Sequence, residues 1–420
     1  MRVLILNQPF HPDVVATAQI AKDLADDLVA RGHEVTAIAS RSIYGRRGAT
    51  LPRRETVGGI RIIRVGSNIF GKGAVVGRLL DFGAYYLMAA LHGLFNRRFD
   101  VAVCLTTPPF IATVGLLLRG LRGTRVVLWT MDVYPDVMVA HAMLRERSLL
   151  HRLLRRLHRR VLRGVDAIIV LGRCMKERLI DQGGDPAKIE VVPVWSASEG
   201  PEAGAAAQGG PGEGGGENAY RREWGVGART VVMYAGNFGL AHDVGTFLDA
   251  AERLKDDDTV RFVFVGGGKR WVEVESRVRE RGLTNCRLMD YQPRERLGEL
   301  LAAADVQLVT MQPQWWGLVV PSKFYGVAMA GRPVVFVGPG QSEIARVIEE
   351  TGCGVVVSPG DSHGLIGALE RLRREPDLRE AMGRKGGDAA AGSSARARAC
   401  GRLVEIIERA GERPIPANRG

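Results

Sequence analysis

The sequence has few cysteines, and their spacing does not indicate a disulfide or a shared metal site. Its 420 residues include five, at positions 104, 174, 286, 353 and 400, and none of them forms a CxxC pair. Disulfide frameworks and zinc sites use an even number of cysteines or closely spaced pairs, so neither is expected here. The cysteine usage fits a reducing, cytoplasmic compartment.

Long apolar runs are also missing. No stretch reaches the roughly 18 consecutive apolar residues that identify a membrane-spanning helix. The nearest candidate, residues 79–95, contains Asp81 and His92. The first ten residues, MRVLILNQPF, do not have the apolar length of a signal peptide, and they predict a first strand instead. Any membrane contact is therefore expected to be peripheral.

Acidic residues are outnumbered by basic ones. Lys and Arg number 58 and Asp and Glu number 46, which gives a formal charge of +12. Such an excess favours a polyanionic partner, which is a nucleic acid, an anionic lipid surface or a phosphorylated substrate. The sequence contains no recognised nucleic-acid module and no alternation of aromatic and basic residues, so no nucleic acid is expected as a partner.

Short β-branched runs alternate with helical periodicity in both halves of the chain. Strands are predicted at 3–6, 35–39, 60–65, 101–105, 126–129, 167–171 and 189–192, and again at 231–234, 262–265, 287–289, 306–309, 334–337 and 354–357. This rhythm is typical of parallel sheets covered by helices on both faces. Between the halves, residues 196–218 are rich in Gly, Ala, Glu and Pro and predict a mobile, dispensable linker.

The chain is too long for one hydrophobic core, so two Rossmann-like α/β domains are predicted. We place an N-terminal domain at 1–195, a linker at 196–219 and a C-terminal domain at 220–385. Residues 386–420 are expected to form a C-terminal helix and tail that packs back on the N-terminal domain. Ligands of such sheets bind at the carboxyl ends of the strands, here in a central cleft that both sheets face.

Three loops of the second half follow strands and open helices, where backbone N–H groups can meet a phosphate. They are residues 236–239 (GNFG), 266–270 (GGGKR) and 321–323 (PSK). Ser322 is a candidate N-cap, and the cation of Lys323 in a first helical turn opposes the helix dipole unless an anion binds. The alternatives are tight turns and a solvated lysine. No G-x-G-x-x-G follows the first strand of either half, so a dinucleotide cofactor is not expected.

These loops belong to a longer series of motifs. The second half contains YAGNFGLAHDVGTFLDAAERL, FVFVGGG, DYQPRERLGELLAAADV and PSKFYGVAMAGRPVVFVGPGQSEIARVIEETGCGVVVSPGD, and the first half contains LNQPFHPDVVATAQIAKDLADDLVARGHEVTAIAS and MDVYPDVMVAHAML. In order and spacing they resemble family 4 glycosyltransferases of the GT-B fold, of the bacterial subgroup that builds capsule, O-antigen and colanic-acid-type polysaccharides. The resemblance implies a nucleotide-sugar donor, with a UDP-sugar expected, held mostly by the C-terminal domain. It also implies an acceptor held by the N-terminal domain, retention of anomeric configuration, and neither metal nor cofactor.

The resemblance also implies site residues. The donor-binding positions are Gly236, Asn237, Phe238 and Gly266 near the phosphates, Tyr291 and Gln292 near the base, Ser322 and Lys323 beside the diphosphate, and Glu343 near the sugar or ribose. The sequence departs from the family where many members have a phosphate-contacting arginine and lysine, because Asn237 and His242 stand there. Leu318 and Gly326 occupy the two places of the family's E-x7-E pair. These departures put extra weight on Lys323.

The first half offers candidates for acceptor chemistry. Asp132 lies just past the strand at 126–129, and Asp136 follows Pro135. A carboxylate at this edge could orient the acceptor hydroxyl, although an Asp that caps the following turn is an equal alternative. His11, held by Pro12, is a second candidate. With Lys323 these complete the predicted catalytic set, which is small because the leaving diphosphate carries the developing charge.

Two stretches suggest an anionic membrane surface as a partner. Residues 145–164 (RERSLLHRLLRRLHRRVLRG) place five apolar side chains on one helical face, Leu150, Leu153, Leu154, Leu157 and Val161, with arginines elsewhere. Residues 79–95 carry aromatic side chains before two arginines. A basic amphipathic helix suits anionic headgroups, but an ordinary helix packed on the sheet has the same pattern. We expect a peripheral protein at the inner face of the plasma membrane that acts on a lipid-linked or polysaccharide acceptor.

Two other functions fit parts of the sequence. A nucleotide-sugar epimerase shares the architecture but needs several acidic and histidine side chains in recognisable order. A non-catalytic, anion-binding protein at the membrane would explain why both glutamates of the E-x7-E pair are missing. Incubation with donor alone separates the epimerase, and donor binding without turnover separates the non-catalytic protein.

Overall fold

A computed structural model describes residues 1–13, 15–43, 50–66, 75–195, 218–392 and 396–412. The chain forms two compact units, one from Met1–Pro193 and Ala397–Gly420 and the other from Val194–Arg396. Residues 196–217, most of the predicted linker, lie outside the described residues. No helix in these ranges combines the length and apolar character that crossing a membrane requires.

The first unit contains an eight-stranded sheet in the order β3-β4-β2-β1-β5-β6-β7-β8. Its strands are β1 (Arg2–Leu6), β2 (Glu34–Ser40), β3 (Arg54–Val57), β4 (Ile60–Val65), β5 (Val101–Cys104), β6 (Arg125–Thr130), β7 (Ala167–Val170) and β8 (Ile189–Val191). All neighbours run parallel except β3, which pairs antiparallel with β4. The sequence reading missed β3 because this short edge strand is partly exposed and has no apolar run.

Helices connect the strands of the first unit. They are α1 (Ala16–Ala30), α2 (Val75–Phe95), α3 (Ala112–Arg122), α4 (Asp136–Ala140), α5 (Leu149–Gly164) and α6 (Arg173–Asp181). The strands they cover are buried on both faces. All six residues of β6 are buried, for example. This explains why the strands are continuous apolar runs rather than alternating patterns.

The second unit contains a six-stranded, fully parallel sheet in the order β11-β10-β9-β12-β13-β14. Its strands are β9 (Thr230–Asn237), β10 (Val260–Gly267), β11 (Cys286–Met289), β12 (Val306–Thr310), β13 (Val334–Val337) and β14 (Gly354–Val357). Its helices are α7 (Ala219–Trp224), α8 (Gly245–Arg253), α9 (Trp271–Glu280), α10 (Leu297–Ala302), α11 (Lys323–Met329), α12 (Glu343–Thr351), α13 (Ser362–Arg374) and α14 (Pro376–Gly392). The two-sheet α/β architecture predicted from the sequence is confirmed.

Two predicted boundaries are wrong. Asn218 was assigned to the linker, but its side chain caps α7, accepting hydrogen bonds from the backbone N–H groups of Tyr220 and Arg221 at 2.9 and 3.3 Å. The second unit does not end at residue 385, because α14 continues to Gly392 and the division falls at Arg396.

The last helix, α15 (Arg396–Glu412), belongs almost entirely to the first unit. Glu408 lies 2.9 Å from the Nε2 atom of His33, and the Nη2 atom of Arg402 donates to Glu190 at 2.6 Å. Seven of its residues are buried. The apolar face of α15 and these ion pairs therefore attach the end of the chain to the domain with which it begins.

Each sheet has one point where the strand order reverses direction. In the first unit this switch point lies between β1 and β5, and in the second between β9 and β12. Chain connections leave the two strands in opposite directions there, which opens a crevice at the carboxyl ends of the strands. These two places are where ligands of each unit are expected.

Candidate functional site

The ammonium group of Lys323 lies at the switch point of the second sheet. Lys323 is the first residue of α11, and its Nζ atom sits 3.7 Å from the centre of the Tyr234 ring. The same atom donates to the Tyr234 hydroxyl and lies 3.4 Å from the backbone oxygen of Asn237, at the end of β9. Burial lowers the pKa of Lys323 well below its ordinary value. These contacts are uncharged, so a bound anion would supply the missing counter-charge.

Two glycines keep the backbone beside Lys323 open. Gly236 and Gly266 face each other in the β9–β10 register, with φ angles of 131° and 137°. A Cβ atom on Gly266 would lie 2.0 Å from the backbone oxygen of Gly236, and one on Gly236 would lie 3.3 Å from the Nζ atom of Lys323. Only glycine fits this close approach without displacing backbone or the lysine. The predicted glycine-rich loops therefore meet at one place.

Phe238 is not a ligand-facing residue, contrary to the prediction. Its side chain is fully buried, 4.3 Å from the ring centre of Tyr234 and 5.0 Å from that of Trp271. Its backbone N–H donates to the Gly267 oxygen at 2.7 Å, and its own oxygen accepts from the Arg270 N–H at 2.9 Å. The backbone of Phe238 thus links the two glycine-rich loops, and its side chain packs in the core. The neighbouring Asn237 is exposed.

Many family members have phosphate-contacting cations in this region. Neither His242 nor Arg270 replaces them here. The Nδ1 atom of His242 lies 2.9 Å from the Thr310 carbonyl oxygen. Burial, followed by the charge of Lys323, lowers the pKa of His242 to about 3, so its ring is neutral near pH 7. Arg270 forms a two-pronged ion pair with Glu273 at 2.8 and 3.0 Å and also donates to the His242 carbonyl oxygen. Lys323 is therefore the cation best placed at this switch point.

The residues predicted near the base both follow β11, which lies two strands away from β9. The Tyr291 ring is 61% exposed, and its hydroxyl donates to the Gly267 oxygen at 3.3 Å. Gln292 donates to the Asp290 oxygen at 2.9 Å and accepts from the Tyr220 hydroxyl at 3.3 Å. Tyr291 thus presents a fixed, accessible aromatic face above the end of β10, which is suited to stacking on a base.

Ser322 and Glu343 differ from their predicted settings. Ser322 precedes α11, but its backbone is already helical and its side chain forms no cap hydrogen bond, so the expected N-cap is wrong. Glu343 begins α12 after the Ser342 cap, and only 7% of its surface is exposed. Ser322 remains beside Lys323 in the chain. Glu343 lies at the carboxyl end of β13, two strands from β9.

In the first unit, Asp132 follows β6 at the carboxyl edge of the sheet. Its backbone N–H donates to the Thr106 hydroxyl at 3.1 Å, which ties it to the end of β5. Burial raises the pKa of the Asp132 carboxyl to about 6. Asp136, in contrast, accepts from Arg178 and Gln182, each at 2.8 Å. Asp136 is committed to a structural ion pair, and Asp132 is the carboxylate suited to proton or hydroxyl chemistry.

His11 lies beyond the end of β1 and is partly exposed. Its carbonyl oxygen accepts from Arg64 at 2.6 Å. Burial, followed by the charge of Lys22, lowers the pKa of His11. The charges acting on its ring come from Lys22, Glu55, Arg64 and Asp26 rather than from Asp132. The structure therefore gives no pairing between the two predicted catalytic residues of this unit.

Tyr234 is a site residue that the sequence reading missed. The apolar pattern predicts it only as part of a buried strand, and its side chain is fully buried. Its only mark in the sequence is a hydroxyl group within the apolar run VVMY, two residues before Gly236. Among the described residues, no group of three or more His, Cys, Asp and Glu side chains is arranged to hold a metal ion.

Comparisons with known proteins identify the family of the chain. A glycosyl transferase 4-like domain matches residues 16–195, and a glycosyl transferases group 1 domain matches residues 229–375. A Pseudomonas aeruginosa protein described as glycosyltransferase WbjE is 29% identical over 280 residues, 66% of this chain and 66% of its own length, which is just under two thirds. An Escherichia coli K12 protein described as colanic acid biosynthesis glycosyl transferase WcaI is 23% identical over 382 residues, 88% of this chain and 92% of its own length.

A solved structure of similar shape is that of Anabaena HepE in complex with UDP-glucose. It superimposes with a TM-score of 0.69 at 15% identity, covering 97% of this chain and 100% of that one. The likeness shows the fold, while the two matched domains include the loops that carry Lys323 and Asp132 and every strand of both sheets except β1. The chain belongs to the family 4 glycosyltransferases of the GT-B fold.

Proposed function

We propose that this protein is a retaining, metal-independent glycosyltransferase that moves a sugar from a UDP-sugar to a lipid-linked or polysaccharide acceptor in cell-surface glycan biosynthesis. The observation that carries the proposal is the position of Lys323. Its ammonium group lies at the β9–β12 switch point, against the open backbone of Gly236 and an uncharged set of neighbours. A donor diphosphate would provide the negative counter-charge that the surroundings of this lysine lack.

The chemistry follows from where charge develops. In the transfer, the bond between the anomeric carbon and the diphosphate oxygen breaks, and a bond forms between the same carbon and the acceptor oxygen. The leaving diphosphate takes up negative charge, and protonated Lys323 stabilises it. The acceptor's proton passes to the departing phosphate. A site of this kind needs no bound metal, because the lysine and backbone N–H groups neutralise the phosphate charge.

The donor and pathway class are inferred from relatives. HepE was crystallised with UDP-glucose, and WcaI is described as acting in colanic acid biosynthesis. Tyr291 offers an exposed ring one strand beyond the glycine pair, at a place suited to a nucleobase. Along the sheet edge, the order of Tyr291, Lys323 and Glu343 matches the order of base, diphosphate and sugar in the donor.

The proposal includes an anionic membrane surface as a partner. Three neighbouring helices of the first unit, α2, α3 and α5, carry exposed apolar side chains, namely Leu87, Met88, Leu91, Phe95, Leu117, Leu121, Leu149, Leu150 and Leu153. The helices are in contact, because a Cβ atom on Gly93 would lie 2.8 Å from Leu118, and one on Gly164 would lie 2.9 Å from Leu116. We call this set the apolar face.

Charge accompanies the apolar face. Exposed arginines follow the leucines along α5, at positions 152, 155, 156, 159, 160 and 163. The inward side of α5 is formed instead by His151, His158, Val161 and Leu162. The five apolar residues predicted on one helical face do not share one environment, since Leu150 and Leu153 are exposed and Val161 is buried. Exposed leucines beside arginines are the features of a helix that lies in an anionic lipid interface.

The five cysteines of the chain are thiols rather than disulfides, and four of them are buried. A reducing compartment preserves that state. We therefore place the protein at the cytoplasmic side of the membrane.

A thermal-shift panel of UDP-, GDP- and dTDP-sugars tests the proposal. A donor that binds only the folded protein raises the melting temperature. We expect the largest increase with a UDP-sugar and none with the sugar alone. Turnover then requires an acceptor. Epimerised donor formed without acceptor would point to an epimerase, and binding without transfer to any acceptor would point to a non-catalytic protein.

A further inference from the structure

Two aromatic side chains lie with Asp132 in the loops at the carboxyl edge of the first sheet. The rings of Phe110 and Tyr134 lie 6.3 Å apart between centroids. Tyr134 follows Asp132 by two residues, and burial raises the pKa of Tyr134, with the nearby Asp132 raising it further. Asp132, Phe110 and Tyr134 are each half-buried, so each keeps a surface open to solvent.

Phe110 is held in a strained backbone conformation. Its φ angle is 64°, in the left-handed region that bulky residues rarely adopt. The Phe110 carbonyl oxygen accepts hydrogen bonds from both the N–H and the hydroxyl of Thr113, each at 2.9 Å, which fixes the loop between β5 and α3. Strain of this kind persists where the surrounding structure enforces it, and it is concentrated at binding sites.

Buried polar atoms at the same strand ends have no partner within the described chain. They are the Oδ1 atom of Asn7, just after β1, and the hydroxyl of Thr130, the last residue of β6. Asn7 is 1% exposed and Thr130 is 2% exposed. Native proteins pair nearly all such groups. These two atoms therefore mark this edge as a place where hydroxyl-bearing ligands or ordered water complete the hydrogen bonding.

We propose that Phe110 and Tyr134 form a platform for the C–H side of a pyranose ring of the acceptor, and that Asp132 accepts a hydrogen bond from one of its hydroxyls. The inference rests on the proposed glycosyltransferase function and names the acceptor chemistry. Binding sites for small polar ligands combine aromatic walls with a few fixed polar groups, which is the composition found here. A carboxylate among half-exposed rings suits a sugar better than an aliphatic lipid chain, because a buried anion against hydrocarbon is costly.

Saturation-transfer NMR on the full chain tests the platform without any donor. The probes are methyl α- and β-glycosides of glucose, galactose, mannose and N-acetylglucosamine, with sorbitol as an open-chain control. We expect transfer to the ring protons of at least one glycoside and none to sorbitol. Phe110→Gly and Tyr134→Ala should weaken binding by about threefold to tenfold, the range of one lost aromatic contact.

Two further variants separate recognition from folding. Tyr134→Phe keeps the ring and should bind like the wild type, whereas Phe95→Ala removes an exposed ring of α2 and should leave glycoside binding unchanged. Phe110→Gly also relieves the strained φ angle, so that variant is expected to remain folded by circular dichroism. Equal binding by wild type and Tyr134→Ala, or no transfer to any glycoside, would overturn the proposal.

The same samples are titrated with UDP. UDP binding without glycoside binding would reject the acceptor platform and leave the donor site standing. Glycoside binding without UDP binding would reject the proposed transferase function while the platform survives.

Discussion

The ammonium group of Lys323 lies 3.7 Å above the Tyr234 ring, at the carboxyl end of the central strand of the second sheet. A cation on an aromatic face is attracted by the electron density of the ring, but that attraction is weaker than a hydrogen-bonded ion pair. Lys323 is therefore held in place before the donor arrives and keeps most of its capacity to bind an anion.

Diphosphate binding should be accompanied by proton uptake. Burial lowers the pKa of Lys323 in the free protein, and a bound diphosphate raises it by favouring the charged form. Between the lowered pKa and the raised one, the complex holds a proton that the free protein does not hold, so affinity falls as pH rises. Calorimetry of UDP binding in buffers of different ionisation enthalpy measures this directly. The same proton uptake in Lys323→Ala would contradict the assignment.

Gly266→Ala should damage the second unit more than an ordinary loop substitution. Its Cβ atom would lie 2.0 Å from the Gly236 backbone oxygen, at a φ angle of 137°. We expect a loss of about 2 kcal/mol or more in the free energy of unfolding, together with loss of UDP binding. Gly340→Ala is the control, because a Cβ atom there meets nothing within 4 Å. Urea unfolding that leaves Gly266→Ala as stable as Gly340→Ala would refute the close approach.

Transfer should have an acid limit set by Asp132. Burial raises the pKa of this carboxyl to about 6, so it is protonated at lower pH and cannot accept a hydrogen bond from the acceptor. We expect kcat/KM for the acceptor to fall below about pH 6. In Asp132→Asn this acid limb of the pH profile should disappear, and activity should be reduced at every pH. The control is Asp136→Asn, which breaks the ion pair with Arg178 and should lower stability while the acid limb persists. A limb unchanged in Asp132→Asn would assign it to another group.

Membrane association should depend on where positive charge is removed. Replacing arginines 155, 156 and 160 of α5 with glutamine should weaken sedimentation with anionic vesicles by about a hundredfold at low salt, since each arginine contributes about 1 kcal/mol. The matched control replaces three exposed arginines of the second unit, at 371, 374 and 384, with the same change in net charge. Salt should weaken wild-type binding steeply. An equal loss of vesicle binding in both triple variants would show that binding depends on net charge alone and not on α5.

The leucines of the apolar face should add a part of the affinity that salt does not remove. Substitution of Leu149, Leu150 and Leu153 with serine removes exposed apolar surface, so folding is expected to be unaffected. Residual binding at high salt should then disappear. Retention of that residual binding would exclude α5 from the bilayer interface.

The sheets could be predicted from the sequence because their strands are buried on both faces and form continuous apolar runs. The sequence reading missed β3, whose residues are partly exposed, and it placed the second domain boundary too early because α14 is a polar helix without an obvious end. Lys323 could be singled out from its place in a first helical turn. Its partner Tyr234 could not, because the contact joins residues 89 positions apart.

Phe238 shows the opposite limit. A glycine-rich motif indicates where a backbone bends, but it does not tell which of its side chains turn inward. Packing against Tyr234 and Trp271 decided that here. The same limit applies to α5. His151 and His158 occupy inward positions on this helix, while Leu150 and Leu153 are exposed.

The most direct test of the donor site is calorimetric titration of UDP into wild type, Lys323→Ala and the control Lys269→Ala, which removes an exposed cation from the neighbouring loop. Loss of a charge-assisted hydrogen bond costs about 1.5–3 kcal/mol, so Lys323→Ala should bind UDP roughly tenfold to hundredfold more weakly. Its melting temperature should be unchanged, and uridine should bind all three proteins alike. Wild-type affinity for UDP in Lys323→Ala, with the loss appearing in Lys269→Ala instead, would contradict the account.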